Sequence, residues 1–234
     1  MRRVLIAGIA VLAFSLPTVA QDAAHIVAAY RQAIGDAENL STLRSWSISG
    51  KISSADGSWK RSYRAWVEGA KVRTELVLQP GIVAASWTDG THGWSIQPWT
   101  QSLVPQPLNQ AALWRLQVMA RLWQNDLLNP AATLEYVGTE EIDGSDCHKL
   151  RARHADGSVW TYFLDPDLGL LVKVTVEASI NGEEVQWNAT LGNYQRVEGV
   201  LLPMVLDTSN GLLLVERYQL NPALDAALFA PPAK

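Results

Sequence analysis

Between Trp46 and Leu220 apolar and polar residues alternate in short runs. The runs are separated by Asp56-Gly57, Glu68-Gly69, Asp89-Gly90, Asp143-Gly144, Asp156-Gly157, Asn181-Gly182, Glu198-Gly199 and Asn210-Gly211. Each dipeptide offers residues that tolerate positive φ, which tight hairpins require. Period-two patterning predicts strands at 45–53, 59–67, 71–79, 83–88 and 93–97, and again at 133–141, 147–153, 159–165, 170–177, 185–194, 200–207 and 212–220. In the third of these, Val72, Thr74, Leu76 and Leu78 alternate with Lys71, Arg73 and Glu75, so one face is dry and the other wet. The sum is one long antiparallel meander, and a sheet of that length must curl or be covered.

Two segments depart from the ladder. Ahead of it, Ile26, Tyr30, Ala33 and Ile34 share one face of a helix that Asp22 is placed to cap and Gly35 to end. In its middle, the proline-punctuated stretch 98–107 leads into 109–128, where the period changes to 3.6. Leu113, Leu116, Ala120, Trp123 and Leu127 form one stripe there, and Trp114, Val118 and Leu122 a second beside it, before Asn129-Pro130 stops the helix. A helix apolar on more than one side fits a lid over a curled sheet better than a plain surface helix. Leu228-Phe229 can pack back, with Pro231-Pro232 closing the fold.

The first twenty residues have the form of an export signal, with Arg2 and Arg3 ahead of an apolar stretch from Val4 to Leu16 and small residues at Thr18-Val19-Ala20. The mature chain, 21–234, is expected to form a single domain, periplasmic and without a membrane span, since a bilayer span needs roughly 20 apolar residues. Cys147 is the one cysteine, so stability must come from packing. The formal charge of −4 becomes −6 without the two leader arginines, which argues against a nucleic-acid binder. Charge is uneven, however, because residues 44–73 hold seven basic side chains and two acidic ones. The expected strand 59–67 puts Trp59, Arg61, Tyr63, Ala65 and Val67 on one face and Lys60, Ser62, Arg64 and Trp66 on the other. Either choice of concave face therefore brings an arginine with it, as a polar rim for an anionic headgroup or as a side chain snorkelling to water.

Catalytic signatures are missing. There is no HExxH, CxxC, phosphate loop or GxSxG, the nearest approach being Gly93-Trp94-Ser95-Ile96-Gln97. Cys147 and His148 are neighbours on a strand and point to opposite faces, and His148 and His154 would stand roughly 20 Å apart, so no metal site is expected. Glu140-Glu141, Glu183-Glu184 and Asp165-Pro166-Asp167 fall at or beside turns, where solvated acids are ordinary. No enzyme activity and no cofactor are expected. Ten tryptophans, by contrast, suit the wall of a wide apolar groove, because indole brings large apolar area with one donor.

Three runs carry a resemblance to a known family. They are Thr88-Asp89-Gly90-Thr91-His92-Gly93-Trp94-Ser95-Ile96-Gln97-Pro98, Gly138-Thr139-Glu140-Glu141-Ile142-Asp143-Gly144 leading into Cys147-His148-Lys149-Leu150, and Asn193-Tyr194-Gln195-Arg196-Val197-Glu198-Gly199 ending at Pro203. The chain resembles the outer-membrane lipoprotein-sorting, LolA-like family, in a divergent branch. That resemblance implies an α+β fold, a half-open antiparallel barrel of about 11 strands with a helical lid. It also implies a periplasmic carrier for the acyl chains of lipids or lipoproteins, working as a monomer with inner- or outer-membrane partner proteins. Strand parity assigns the cavity to Trp46, Ile48, Trp59, Tyr63, Leu76, Trp94, Phe163 and Trp187, the lid to Leu113, Leu116, Trp123 and Leu127, and the polar rim to Arg61 and Arg64. Burying acyl methylenes at about 0.8 kcal/mol each makes a sixteen-carbon chain worth on the order of 10 kcal/mol before losses, enough to extract a lipid from competing surfaces. A periplasmic sensor or regulatory module on the same fold, or a tryptophan-lined glycan-binding module, are the alternatives.

Overall fold

A computed structural model of the chain describes residues 19–35, 40 and 42–232. The expected export signal lies outside them except for its last two positions, which begin helix α1, Val19–Ala33. Asp22 is therefore inside α1 and not at its cap, because the helix starts three residues earlier. Gly35 does end it, with φ +89°, and bridges to Val200.

The remaining chain builds one open antiparallel sheet of 13 strands. In sequence order these are β1 Ser45–Ser53, β2 Lys60–Glu68, β3 Lys71–Gln79, β4 Ile82–Thr88, β5 Gly93–Ile96, β6 Gln106–Pro107, β7 Glu135–Ile142, β8 Ser145–Arg153, β9 Val159–Leu164, β10 Leu171–Ile180, β11 Glu183–Val197, β12 Val200–Thr208 and β13 Gly211–Leu220. The order across the sheet is β6-β5-β4-β3-β2-β1-β13-β12-β11-β10-β9-β8-β7, so β1 pairs with β13 at the centre and β6 and β7 are the two edges. Twelve of these strands lie within a few residues of the patterned segments. The thirteenth, β6, is two residues long, one of them proline, and carries no periodic signal.

Turn chemistry follows the dipeptides. Asp143-Gly144, Asn181-Gly182 and Glu198-Gly199 each hold both central residues at positive φ, between +48° and +89°, as a type I′ hairpin requires. Strict antiparallel pairing sorts the turns onto two rims. The upper rim carries residues 54–59, 80–81, 154–158, 181–182 and 209–210 with the connection 97–105, and the lower rim carries 69–70, 89–92, 143–144, 165–170 and 198–199.

Both faces of the sheet bury apolar residues. On the concave side Trp46, Ile48, Tyr63, Trp160, Tyr162, Val176 and Trp187 join α1 and the lid in one core. On the convex side the C-terminal segment folds back over β3 and β4. Phe229 is buried there, the Trp87 indole donates to the Ala230 carbonyl at 3.0 Å, and Arg73 donates to the Leu228 carbonyl. Among the described residues no helix is long and apolar enough to cross a membrane.

Candidate functional site

The lid is shorter than its pattern. Helix α2 runs Gln110–Arg121, its N-terminus capped by the Asn109 side chain, which accepts from the Ala112 N–H at 2.8 Å. Residues 122–128 keep apolar spacing but leave the helix, because Asn125 bonds its own neighbourhood, accepting from the Leu127 N–H and donating to the Leu122 carbonyl. Leu122, Trp123, Leu127 and Leu128 are nonetheless buried, so the segment extends the roof as a compact coil.

That coil is held by a buried polar cluster. One Asp126 oxygen accepts from the Tyr162 hydroxyl at 2.6 Å and lies 3.1 Å from His154 Nε2. Burial, and then the neighbouring Asp126 charge, push the Tyr162 phenol well above its usual range. Arg121, at the end of α2, contacts the His154 ring nitrogens and lies over Trp160 at 4.8 Å. Arg31 of α1 donates to the Leu127 carbonyl, and Gln124 to the Leu43 carbonyl. At its other end the lid is pinned where the Leu108 N–H donates to the Gly93 carbonyl at 2.8 Å. Gly93 lets the lid pack close, since a Cβ would stand 2.9 Å from Leu108 Cδ1 and 3.0 Å from Leu113 Cδ1, and both leucines would have to shift.

Between this roof and the concave face lies a cavity of about 310 Å³. Its floor is Trp46, Ile48 and Ile52 of β1, Tyr63 of β2, Thr74 of β3, Ser86 of β4, Trp187 of β11, Leu206 and Thr208 of β12, and Leu213 of β13. Its roof is Leu108, Ala112, Leu116, Met119, Leu122 and Trp123. Trp123 anchors the two together, standing edge-on to Trp46 at 6.4 Å and to Tyr218 at 6.0 Å. Three exposed polar residues, Gln97, Arg115 and Asn210, mark the mouth on the upper rim. Arg115 has no hydrogen bond or ion pair among the described residues. The Tyr63 hydroxyl likewise makes no hydrogen bond there, and burial raises its pKa. Four buried indole N–H groups find no acceptor among the described residues, and three of them, from Trp46, Trp123 and Trp187, belong to the cavity wall.

The structure thus brings together Trp46, Ile48, Tyr63, Trp187, Leu116 and Trp123 of the residues chosen by parity. The others lie elsewhere. Trp59 and Leu76 pack partly buried against the core beyond the cavity. Trp94 is on the convex face beside Trp87, because Gly93 and Ser95 are the residues of β5 that turn inward. Phe163 is also convex, lying under the ammonium groups of Lys149 and Lys173 at 5.4 and 4.9 Å, while its neighbours Tyr162 and Leu164 face the core. Leu113 sits against Gly93, and Leu127 is sealed in the coil after α2. Of the arginines, Arg61 is exposed at the start of β2 on the upper rim. Arg64 is convex, opposite Ser49 and near Trp66 and Arg217. Ile52 shares the parity of Trp46 and Ile48 and was within reach of the pattern. Arg115 was signalled only as the one cation on the first turns of an apolar helix.

A curled, open antiparallel sheet with a helix and coil over its concave face defines the class: a half-barrel with a lid. Solved structures show this to be the LolA-like fold. A LolA superfamily protein from Nitrosomonas europaea superposes with a TM-score of 0.55 at 14% identity, covering 92% of this chain and 99% of its own. A DUF1329 family protein from Desulfovibrio piger gives 0.55 at 13% identity, covering 92% of this chain and 98% of its own. A domain assigned to outer membrane lipoprotein sorting in Vibrio parahaemolyticus gives 0.53 at 14% identity, covering 90% and 97%. No family model and no curated protein matches the sequence.

Proposed function

We propose that this protein is a periplasmic carrier that binds the acyl chain of a lipid or lipoprotein between the concave sheet and α2, by binding and release without a chemical step. The observation that carries this reading is the cavity itself, a mainly apolar space walled by Trp46, Trp123 and Trp187, with the exposed polar residues Gln97, Arg115 and Asn210 at its mouth and Tyr63, Thr74, Ser86 and Thr208 adding polar atoms to the floor. Its volume of about 310 Å³ is at the lower end of the roughly 300–1,000 Å³ typical of ligand sites, which suits one acyl chain better than several. Arg115, Gln97 and Asn210 at the mouth, with Tyr63 deeper in, supply donors for an ester, amide or carboxylate head. The lipoprotein-sorting assignment of the Vibrio neighbour supports cargo that carries acyl chains.

The direct test is binding of a fluorescent fatty acid to delipidated protein, read by tryptophan emission and by thermal stabilisation. Trp123→Asp, which puts a charge in the roof, is expected to weaken binding about tenfold or more. Saturating lipid that changes neither emission nor melting temperature refutes the reading. Native mass spectrometry of protein purified from its own periplasm then identifies the cargo.

A further inference from the structure

Large apolar side chains exposed among the described residues are concentrated on one rim. Trp99, Leu103 and Val104 are 63–65% exposed on the connection between β5 and β6, and Ile82 is exposed at the neighbouring β3–β4 hairpin tip. All four are on the upper rim, beside the cavity mouth, whereas Leu168 stands apart on the lower rim and Leu214, the least exposed, lies on β13 beside Lys51. Exposed apolar clusters of this kind mark contact surfaces, and indole in particular favours the boundary between headgroups and acyl chains.

The segment is built to leave water at small cost. Residues 90–114 contain no Asp, Glu, Lys or Arg. Part of the backbone of the connection is also bonded internally: the Thr100 and Gln101 N–H groups donate to the Gln97 and Pro98 carbonyls, and the Val104 N–H to Ser102 Oγ. Cations flank it. Lys60 and Arg61 on the β1–β2 hairpin, next along the rim after the β3–β4 tip, and Arg115 on α2 are exposed, and none of the three is in an ion pair among the described residues. The far half of the same rim is acidic on balance, with Asp156, Glu183 and Glu184 against Arg153, whereas the β1–β6 side sets one acid, Asp56 at the β1–β2 tip, against Lys60, Arg61 and Arg115.

We propose that this half of the upper rim docks on an anionic phospholipid surface. Trp99, Leu103, Val104 and Ile82 enter the interface, while Lys60, Arg61 and Arg115 meet lipid phosphates. The docked orientation sets the cavity mouth against the bilayer, so a ligand passes between membrane and cavity without crossing open water. Apart from Arg115, which also borders the mouth, this surface is distinct from the cavity wall, and a test at Trp99 and Leu103 can fail independently of ligand binding.

The test is flotation of the mature chain with vesicles of phosphatidylcholine containing phosphatidylglycerol, and with phosphatidylcholine alone. A Leu103→Cys variant labelled with an environment-sensitive dye reports insertion, the native Cys147 being buried. Expected results are stronger partitioning to the anionic vesicles, a blue shift of the dye, and about a tenfold loss of partitioning in a Trp99→Ser, Leu103→Ser variant. The variant should melt at the wild-type temperature and still bind soluble fluorescent fatty acid, which separates loss of docking from loss of fold or of the cavity. Absence of wild-type partitioning, equal partitioning of the variant, or no preference for the anionic vesicles overturns the proposal. So does concentration-dependent self-association that the double substitution abolishes without any vesicle binding.

Discussion

Tyr162→Phe removes one oxygen from the buried cluster that holds the roof, and its effect can be sized from the geometry. The Asp126 side chain is buried, with the residue 6% exposed, and the Tyr162 hydroxyl donates to it at 2.6 Å. A hydrogen bond to a charged group contributes roughly 1.5–3 kcal/mol, and a buried acceptor stripped of its donor retains its desolvation penalty. His154 Nε2, 3.1 Å from the same oxygen, remains as a second contact and favours the lower half of that range. A loss of about 2 kcal/mol corresponds to a fall of roughly 4–8 °C in melting temperature for a chain of this length. Calorimetry measures it, and a double-mutant cycle with Asp126→Asn is expected to give a coupling of at least about 0.5 kcal/mol. Hydrogen exchange should quicken in residues 122–128 before the sheet. A change below about 0.5 kcal/mol with additive single effects would refute the idea that this cluster fastens the lid.

Gly93→Val places methyl groups where Leu108 and Leu113 already sit at 2.9–3.0 Å from the Cβ position, and is expected to cost about 1–3 kcal/mol by overpacking and to weaken ligand binding as the lid lifts; chemical denaturation and fatty-acid titration check the two effects. Alkaline stability follows from the buried phenols of Tyr30, Tyr63, Tyr162, Tyr194 and Tyr218, all raised chiefly by burial, Tyr30 to about 12. In the unfolded chain they ionise near pH 10, so above that point the unfolded state holds fewer protons than the folded one. Their stability contribution is full below about pH 10 and falls with rising pH, by up to about 1.4 kcal/mol per pH unit for each phenol. A melting temperature that stays level from pH 9 to pH 11 contradicts this linkage.

The strands were legible because two signals agreed, period-two alternation and glycine dipeptides at the turns. The choice of face was less so. Trp94 and Phe163 look like core residues in sequence, but the convex face has its own cover: the C-terminal segment over Trp87, and the stems of Lys149 and Lys173 over Phe163. Apolar character alone cannot say which side of a sheet is inside when both sides are partly dry. The end of α2 was hidden for a related reason, because Trp123 and Leu127 continue the helical spacing while Asn125 takes the backbone out of it. The cavity was found through the residues shared by strand parity and lid stripe. Its polar mouth depends on a distant pairing, since Asn210 and Gln97 meet only after β1 joins β13.

That pairing of β1 with β13 also divides the chain mechanically. Every other strand contact joins sequence neighbours, so β1–β6 and β7–β13 are two ribbons of successive hairpins, stitched along one central seam. The covalent link between the ribbons, residues 108–134, runs from one free edge to the other above the open side. The molecule is therefore hinged opposite its strap. Spreading the two edges would strain packing under the strap but break no rung of the sheet. In folding, each ribbon needs only short loops to form, and the seam, which spans most of the chain, carries the one large loop-closure entropy.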